Sequence, residues 1–450
     1  MKCRIINSQE VLLSKRFDGS YHNAEVNIYS SVIDKHSSYK LKDYCTEIFT
    51  SGRNKRVYTT KEYGYPFLSN SDVVAAEPLS SCKYSSKKYG YDEKAVLRKG
   101  MILTGRVGAI GQTAFVPGFL EAKRAMGSDN IIRICVKPEK HNGFIYAYLA
   151  SRIGNLSFWK HATGGVQPFI TDAMVGELAI PDFPESFQKE VDDLIQESAH
   201  LREEATDALD QAISYFNDKY TIKEDTQKTF TLSLKELKLG FAAYNNNLEV
   251  DQFIDEYKSD SYELSEKTKQ IFAPPLFKHI YLNKDNGYPF MTGSELTQFN
   301  LRYYRWLSPK GVKDINDYIV KKGTLLLYKS GTTDGGILGN VFIADNKLNG
   351  CCLSDHIIRI VFNDVKEAYW AFAFLRSKGA TRMLKRLATG TMIPFITPER
   401  ISRLRIPNPD DNFDAIVSLV EKYINLNSTS KENETKAIIM VEQEIEKWNN

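Results

Sequence analysis

The chain contains one sequence pattern twice, separated by the length of a whole domain. The run Pro-Phe-Ile-Thr at residues 168–171 recurs at residues 394–397, and the Ile-Pro pair at residues 180–181 recurs at residues 406–407. Both recurrences keep the same 226-residue spacing (394 − 168 and 406 − 180). A period of this length is far longer than a solenoid unit, so it predicts two similar domains. Whatever the protein binds, we expect it to have two similar sites for it.

Other repeated landmarks keep nearly the same register. Those later in each copy share the 226-residue spacing, and those earlier in each copy share a 223-residue spacing (288 − 65). They are Ala162, Thr163 and Gly164 with Ala388, Thr389 and Gly390; Asp129, Ile132, Arg133 and Ile134 with Asp355, Ile358, Arg359 and Ile360; and, at the shorter spacing, Tyr65, Pro66 and Phe67 with Tyr288, Pro289 and Phe290, Lys99 and Gly100 with Lys322 and Gly323, and Gly108 with Gly331.

The length and the cysteines narrow the class of protein. A chain of 450 residues is too long for one typical hydrophobic core, and two or three domains are expected. No apolar run is long enough to span a bilayer, and the first ten residues lack the apolar region of a signal peptide. The six cysteines form no Cys-x-x-Cys pair, which favours reduced thiols. The sequence therefore predicts a cytoplasmic protein without membrane segments.

The net charge of +3 hides an uneven distribution. Residues 185–216 contain nine acidic and two basic residues, and residues 410–450 contain nine acidic and four basic residues. Their net charges of −7 and −5 leave +15 for the remainder of the chain. The two repeated bodies are therefore basic, which suits a polyanionic ligand, whereas the acidic segments that follow them would be repelled by one.

Each repeat is followed by a long segment without glycine or proline, from residue 185 to 239 and from residue 410 to 450. In the first segment, apolar and small residues alternate at spacings of four and three, which is the period of a supercoiled helix pair. These residues are Phe187, Val191, Leu194, Ser198, Leu201, Ala205, Ala208, Ala212 and Tyr215. The second segment shows the pattern in two pieces, separated by a polar stretch at residues 425–436. We expect two long helices, the second one frayed, looped or bent at its polar stretch.

The simplest architecture packs the two helices antiparallel as a spacer, with one basic domain at each end and an approximate two-fold axis. A helix over residues 185–216 is about 48 Å long at ~1.5 Å per residue. That length suits two half-sites on one face of B-DNA, which lie about 34–36 Å apart. The predicted boundaries are 1–184 for the first basic domain, 185–232 for the first spacer helix, 233–409 for the second basic domain and 410–450 for the second helix.

Each repeat mixes strand and helix patterns. Residues 95–104, 131–136, 341–344 and 357–362 read as strands, because they are β-branched or apolar runs between turns. Residues 144–152 and 368–377 have helical spacing. The predicted fold class is α+β.

The order of these motifs carries a family resemblance. A Thr-Gly-x-x-x-Pro-Phe-Ile-Thr run followed by Ile-Pro and a long helix, present twice, resembles the specificity subunit of a type I restriction-modification system. The Leu-Thr-Gly-Arg-Val turn at residues 103–107 is also similar to that family. The resemblance covers nearly the whole chain, as target recognition domain, helix, second target recognition domain and second helix. One departure is a longer second glycine turn, at residues 331–336.

The resemblance implies a subunit without catalytic residues, metal or cofactor of its own. It implies a chain that reads a bipartite site in double-stranded DNA and holds two adenine-methyltransferase (modification) subunits, which use S-adenosylmethionine. In the full complex it implies restriction/translocase subunits that use ATP and magnesium. We assign the methyltransferase contact to the acidic helices, through their apolar seam: Phe187, Val191, Leu194, Leu201, Ile438, Val441 and Ile445.

Candidate DNA contacts combine cations for phosphates with hydrogen-bonding side chains for base edges. In the first domain they lie in loops at residues 51–56, 81–88 and 103–107; in the second they lie at residues 302–306 and at Lys329, which matches Arg106 at the 223-residue spacing. The candidates are Arg53, Asn54, Lys55, Arg56, Lys83, Lys87, Lys88, Arg106, Arg302, Arg305 and Lys329. Each cluster alone is explained equally well as a solvated surface loop, and the charge of the bodies favours the set.

The framework of the two copies matches, but the candidate reading loops differ. At the 223-residue spacing, SGRNKR at 51–56 aligns with PPLFKH at 274–279, and SCKYSSKK at 81–88 aligns with YRWLSPKG at 304–311. Divergent loops on a constant frame predict an asymmetric, non-palindromic target. The Pro-Phe-Ile-Thr run is expected to be structural, with Thr171 and Thr397 capping the following helices.

Two other classes of function agree less well with the sequence. An enzyme is disfavoured, because the chain has no Asn/Asp-Pro-Pro-Tyr/Phe motif of amino-methyltransferases, no phosphate-binding loop and no cluster of metal-binding His or Cys. A duplicated, non-catalytic protein- or glycan-binding adaptor is permitted by the 12% aromatic content but opposed by the charge distribution. Steep loss of binding with rising salt distinguishes DNA binding from the adaptor.

Overall fold

A computed structural model describes most of the chain as two compact units. One unit is Met1–Glu203 with Thr429–Asn450, and the other is Glu204–Ser428. The described residues are 5–448 except for 20, 54, 109, 165, 166, 232, 243, 244 and 391 and the ranges 224–230, 234–241, 301–304 and 332–335. The candidates Asn54 and Arg302 therefore lie outside the described residues.

The first unit contains short helices, two four-stranded sheets and one two-stranded pair, together with parts of two long helices. Its helices are α1 (Ser8–Ser14), α2 (Ala24–Lys35), α3 (Leu41–Tyr44), α4 (Asn70–Val73), α5 (Gly118–Ala122), α6 (Asn142–Ala150), α7 (Arg152–His161), α8 (Asp172–Gly176) and the first part of α9 (Glu185–Lys219). Its strands are β1 (Tyr39–Lys40), β2 (Cys45–Thr50), β3 (Tyr58–Thr59), β4 (Gly64–Leu68), β5 (Lys83–Ser86), β6 (Ile102–Gly105), β7 (Thr113–Phe115), β8 (Met126–Gly127), β9 (Ile131–Val136) and β10 (Ala179–Ile180).

The second unit repeats this arrangement of elements. Its strands are β11 (Ser261–Glu263), β12 (Thr268–Phe272), β13 (Tyr281–Leu282), β14 (Tyr288–Met291), β15 (Arg305–Leu307), β16 (Leu325–Tyr328), β17 (Val341–Ile343), β18 (Cys352–Leu353), β19 (Ile357–Phe362) and β20 (Arg405–Pro407). Its helices are α10 (Leu248–Asp255), α11 (Leu264–Lys267), α12 (Gly293–Leu296), α13 (Val365–Leu375), α14 (Lys378–Arg386), α15 (Pro398–Ser402) and α16 (Phe413–Lys447), whose last part belongs to the first unit.

The two units have the same sheet topology, strand for strand. The four-stranded sheets have the orders β2-β9-β6-β7 and β3-β5-β4-β8 in the first unit, and β12-β19-β16-β17 and β13-β15-β14-β18 in the second. The two-stranded pairs β1-β10 and β11-β20 also correspond. The pairing of β4 with β8 is parallel, and so is that of β14 with β18. The predicted duplication and the predicted α+β class are both confirmed.

The predicted bounds agree with the structure for some strands and differ for others. The β-branched runs predicted at residues 131–136 and 357–362 are β9 and β19, with those bounds. The strand predicted over residues 95–104 begins only at Ile102, and a 3-10 turn, Glu93–Ala95, precedes it. Asp92 opens that turn because its carboxylate accepts a hydrogen bond from the Lys94 N–H (3.1 Å), which competes with extended pairing.

Within each unit the two long helices run antiparallel. In the first unit, Phe183 just before α9 stacks on Trp448 just after α16, with 4.6 Å between the ring centroids. In the second unit, Lys219 at the end of α9 forms an ion pair with Asp410, just before α16. The helix α9 ends at Lys219, ahead of the boundary predicted at residue 232, and much of the segment that follows lies outside the described residues.

The expectation that α16 frays or loops at its polar stretch is wrong. One helix runs from Phe413 to Lys447 without a break. Ser430 and Glu434, which lie in that stretch, are only 0% and 5% exposed, and the Tyr146 hydroxyl donates to the Glu434 carboxylate (2.9 Å). Buried polar groups are tolerated when they have hydrogen-bond partners, and the fold supplies partners that the helix sequence alone does not show.

A buried arginine joins the two sheets of each unit. Arg133 on β9 is 0% exposed, and its guanidinium donates to the carbonyls of Gly127 on β8 (2.6 Å) and Ala95 (3.2 Å). Arg359 on β19 is 2% exposed and donates in the same way to Leu353 on β18 (2.7 Å). Burial lowers the pKa of both side chains to about 10. The repeated Ile-Arg-Ile motif is therefore a structural element and not part of a binding surface.

The central helix of each unit is almost wholly buried. Residues 143–150 of α6 and 368–375 of α13 all lie in the hydrophobic core, which accounts for their nearly continuous apolar sequence. These helices are short, and none of the described helices is long and apolar enough to cross a membrane. The strands and loops beside them carry the candidate binding residues.

Candidate nucleic-acid interface

Arg106 leaves strand β6 in a turn whose backbone is held on both sides. Its N–H donates to the Asn130 carbonyl (2.8 Å), and its carbonyl accepts from the Ile170 N–H (3.0 Å). Gly108 and Gly111 follow with φ of +75° and +74°, a conformation that favours glycine. The side chain is half-buried, and its Nε has no hydrogen-bond partner in the described part of the chain. The turn thus fixes the position of a cation whose guanidinium is incompletely bonded.

Lys329 is held in the same way in the second unit. Its N–H donates to the His356 carbonyl (2.8 Å), and its carbonyl accepts from the Ile396 N–H (2.7 Å). Both partners match the partners of Arg106 at the 226-residue spacing. The predicted equivalence of Lys329 and Arg106 is confirmed. Most of the longer glycine turn that follows Lys329 lies outside the described residues.

A closed loop adjoins each of these cations. Thr163 and Phe169 exchange two main-chain hydrogen bonds (2.9 and 2.8 Å), and Thr389 and Phe395 do the same (2.8 and 2.7 Å). Main-chain bridges join Phe169 to Val107, next to Arg106, and Phe395 to the residue that follows Lys329. The repeated Thr-Gly-x-x-x-Pro-Phe run therefore forms the same anchored loop in both units, and its tip is the part that differs in sequence.

Only one of the two predicted helix caps forms its side-chain hydrogen bond. The Thr171 side chain accepts a hydrogen bond from the Met174 N–H (3.3 Å) at the start of α8, as predicted. Thr397 precedes α15 without a side-chain cap bond, and Pro398 occupies the first helical position. Proline at this position lacks one of the N–H groups that the start of a helix leaves unpaired, and its fixed φ starts the helix.

Arg53 and Arg56 converge on one carboxylate. Arg53 Nε and Arg56 Nη2 lie 3.4 and 2.5 Å from the oxygens of Asp129, whose side chain is only 11% exposed. Burial raises the pKa of Asp129, but the hydrogen bonds to its carboxylate and the charge of Arg56 together outweigh it, so the pKa lies below its ordinary value. Lys55 between them is exposed. Because Asp129 precedes the Asn130 that holds Arg106, the structure brings two of the three predicted loops together.

Lys83 was predicted in a loop and lies instead in strand β5. It pairs across the sheet with Phe67 on β4, and its Nζ is 4.8 Å from the centroid of the Tyr58 ring. Lys83 is the first residue of this strand, where a lysine is tolerated because its charged end reaches water while its stem covers the sheet. The Tyr58 ring is itself 43% exposed, so the pair presents a cation and an aromatic face together.

Arg305 occupies the position of Lys83 in the second unit. It pairs with Phe290 on β14, the counterpart of Phe67, and its guanidinium carbon is 5.5 Å from the centroid of the Tyr281 ring. The ungapped alignment placed Lys83 opposite Trp306 and is wrong here by one residue. Strand pairing corrects it, and shows that these loops share a cation–tyrosine pair although the rest of their sequence differs.

Lys87 and Lys88 follow β5 in an exposed turn. Lys87 donates to the carbonyl of Glu62 (3.0 Å) and lies 5.5 Å from the centroid of the Tyr65 ring. Lys88 lies 5.1 Å from the centroid of the neighbouring Tyr89 ring. Ser85 and Ser86, which the sequence places among these lysines, are buried, so their hydroxyls are not part of the surface. The DNA contact of the lysines stays a prediction.

Sequence reasoning missed the aromatic half of this surface. Arg124 lies against Tyr65 and Tyr91, with distances of 5.4 and 4.9 Å from its guanidinium carbon to the ring centroids, and it belongs to no predicted cluster. Tyr58 and Tyr281 were also missed. They share the 223-residue spacing of the earlier landmarks, so this signal was present in the sequence.

The apolar residues assigned to the methyltransferase contact lie largely inside the chain's own core. Val191, Ile438, Val441 and Ile445 are each 0% exposed and pack together in the first unit. Phe187, Leu194 and Leu201 are partly buried. The seam is therefore occupied by the second helix, and a partner of these helices would have to contact their exposed, acidic faces.

The arrangement combines cations and exposed aromatic rings on a rigid framework. Cations of this kind bind phosphates, and exposed aromatic faces stack on bases or sugars. Within the described residues, no group of His, Cys, Asp or Glu could hold a metal ion. The geometry is that of a binding surface for a polyanion.

A family model matches part of the second half of the chain. Residues 269–439 match the model described as "Type I restriction modification DNA specificity domain". The second half of the chain carries a type I restriction-modification DNA specificity domain. The resemblance drawn from the sequence is confirmed over these residues, and the family that it points to is not catalytic. The first unit repeats the strand order of this specificity domain from its own, unmatched sequence.

Comparisons with other proteins add context only. No curated protein matches the chain. The HsdS subunit from Thermoanaerobacter tengcongensis is 14% identical, with a TM-score of 0.29, over 91% of this chain and 95% of that one. The type I restriction-modification S subunit from M. genitalium is 12% identical, with a TM-score of 0.31, over 91% and 94%. A chain from a structure on complex assembly of the type I R-M system is 14% identical, with a TM-score of 0.29 over 91% and 95%. TM-scores of this size carry no weight for the fold.

Proposed function

We propose that the chain is the DNA-reading subunit of a type I restriction-modification complex and that each unit reads one half of an asymmetric, bipartite site. One observation carries the proposal: the first unit has the strand order of the unit that matches the DNA specificity domain. Two copies of one DNA-reading fold in one chain require two half-sites.

The shared and the divergent residues of the two units support different parts of this proposal. The cation–tyrosine pair and the anchored cation occur in both units, as expected for contacts with the uniform phosphate backbone. The loop at residues 51–56 and the tips of the anchored loops differ in sequence, as expected for contacts that read different bases. An asymmetric target follows.

We further propose that the chain holds two adenine-methyltransferase subunits, which use S-adenosylmethionine, and restriction/translocase subunits, which use ATP and magnesium, in the cytoplasm. Glu190, Asp193 and Glu197 are exposed and lie on one face of α9. They offer an acidic surface for the methyltransferase in place of the buried seam.

DNA binding is tested by its salt dependence in the complex assembled with the methyltransferase subunits. The logarithm of the binding constant for duplex DNA should fall linearly with the logarithm of salt concentration, with a slope of about −0.9 for each phosphate contacted. The R53E/K55E/R56E variant should bind more weakly, and K189E, on the acidic helix, should bind as the wild type does. A flat salt response would favour the adaptor, and an unchanged triple variant would remove residues 53–56 from the interface.

The partner contact needs surface variants and not a truncation. Removing residues 410–450 would take Ile438, Val441 and Ile445 out of the core of the first unit and disrupt its fold. The E190K/D193K/E197K variant keeps that core and should lose co-purification with the methyltransferase, whereas E139K, at an exposed site of the same unit, should not. Full retention by the triple variant would contradict the proposed acidic surface.

A further inference from the structure

The anchored loop of the second unit ends in two exposed apolar side chains. Met392 is 93% exposed and Ile393 is 70% exposed. The two hydrogen bonds between Thr389 and Phe395 close the loop at the base of these two residues. Two adjacent large apolar side chains exposed at a loop tip form a small apolar surface that a ligand can cover.

The base of the loop is rigid and adjoins a cation. The Gly331 N–H donates to the Pro394 carbonyl (3.1 Å), and the Ile396 N–H donates to the Lys329 carbonyl (2.7 Å). Lys329 is the anchored cation of this unit. The tip and the cation therefore share one backbone framework, and a ligand that meets one can meet the other.

We propose that Met392 and Ile393 form a wedge that enters a base step of bound DNA while Lys329 contacts a flanking phosphate. Methionine and isoleucine are among the side chains that unstack base pairs in this way, and one or two of them suffice. A stable protein–protein interface needs about 800 Å² from each partner, far more than an isolated loop tip offers. Size and the neighbouring cation thus favour DNA over a protein partner.

The wedge is expected in one half-site only. The corresponding loop of the first unit has Gln167 where the second has Ile393, at the 226-residue spacing. It has Val166 where the second has Met392. Valine is shorter than methionine and glutamine forms hydrogen bonds, so this pair makes a smaller apolar wedge than Met392 with Ile393. The inference rests on the proposed DNA-binding function. Apart from the adenines that the methyltransferase subunits flip out, it predicts an unstacked base step in the half-site of the second unit alone.

The test uses the complex of the full chain with its methyltransferase subunits, and duplexes of the mapped methylation site in which 2-aminopurine replaces successive bases. The methylated adenines are left out of the scan, because the methyltransferase subunits flip these bases out themselves. At the other positions, the wild-type complex should raise 2-aminopurine fluorescence at one step of one half-site. M392S/I393S should abolish the rise and weaken binding about tenfold, the loss typical of one mismatched base pair. An abasic site at that step removes the cost of unstacking, so the variant should then bind nearly as the wild type does.

V365S, which changes an exposed apolar residue of the same unit, is the matched control and should leave both readouts unchanged. DNA binding by the wild type without a fluorescence rise outside the methylated adenines would overturn the wedge and leave the proposed function intact. Loss of the methyltransferase from M392S/I393S would also overturn the wedge, because the tip would then be a protein contact. Failure of the wild-type complex to bind DNA would overturn the proposed function itself.

Discussion

Ser198 on α9 and Ser430 on α16 exchange hydrogen bonds across the two antiparallel helices. The Ser198 hydroxyl donates to the Ser430 carbonyl (2.8 Å), and the Ser430 hydroxyl donates to the Ser198 carbonyl (2.6 Å). The two residues are 2% and 0% exposed. The small side chains let the helices come close, and the reciprocal bonds set the register of the helices at that point.

Replacing either serine by alanine should destabilise the chain by about 1 kcal/mol, the usual contribution of one buried hydrogen bond. The double variant should lose less than the sum of the single losses, because each bond depends on the same close approach. Urea unfolding of S198A, S430A and S198A/S430A measures this coupling. S418A, at an exposed site of α16, is the control, and strictly additive losses would show that the two bonds are independent.

Arg133→Lys and Arg359→Lys should each lower the free energy of unfolding by about 2–3 kcal/mol, because a lysine cannot reproduce the forked contacts with buried carbonyls. The same substitution at Arg98, whose side chain is 53% exposed and paired with Glu93, should have little effect. Chemical unfolding of the three variants compares them. Wild-type stability of R133K would mean that the guanidinium does not hold the two sheets together.

Lys83→Ala and Arg305→Ala should each weaken binding to the specific duplex, because the two residues occupy equivalent positions on their tyrosines. Each variant should also reduce the steepness of the salt dependence by about 0.9, the value for one lost phosphate contact. Titration at several salt concentrations measures the slope, with K189A on the acidic helix as control. An unchanged slope with weaker binding would point to base contacts, and unchanged binding would remove the pair from the interface.

Asp129→Asn should reduce stability by about 0.5–1 kcal/mol at neutral pH, a small value because both arginines are partly exposed. The pKa of Asp129 is lowered in the folded chain, so its contribution is present above the ordinary value of about 4 and is lost as the pH falls through the lowered pKa. Urea unfolding of wild type and D129N between neutral and acid pH checks this. The difference should shrink to nothing at acid pH, and a constant difference would contradict it.

Regular elements and the duplication were predictable because they depend on patterns that a sequence displays directly. The bounds of β9 and β19 follow from β-branched runs between turns, and the constant spacing of the repeated landmarks predicts which residues are equivalent. The equivalence of Arg106 and Lys329 was found in this way, and the hydrogen bonds to Asn130 and His356 confirm it.

The parts that could not be predicted depend on partners distant in sequence. The polar stretch of α16 predicts a break, but Ser198 and Tyr146 supply the bonds that keep the helix continuous. The match of Lys83 with Arg305 requires the strand register, since the spacing there is one residue shorter than at neighbouring landmarks. The apolar seam of α9 is covered by α16 of the same chain. A periodic apolar pattern predicts that some helix packs there, but it does not show whether that helix belongs to the same chain or to a partner subunit.

The most direct test of two independent DNA-reading units is a domain exchange read out by methylation mapping. Residues 1–184 are replaced by the corresponding segment of a different type I specificity subunit, and adenine methylation is mapped across the genome of a host that expresses the complex. Only one half of the methylated sequence should change, while the half read by the second unit stays the same. Alteration of both halves, with the complex still active, would contradict the account.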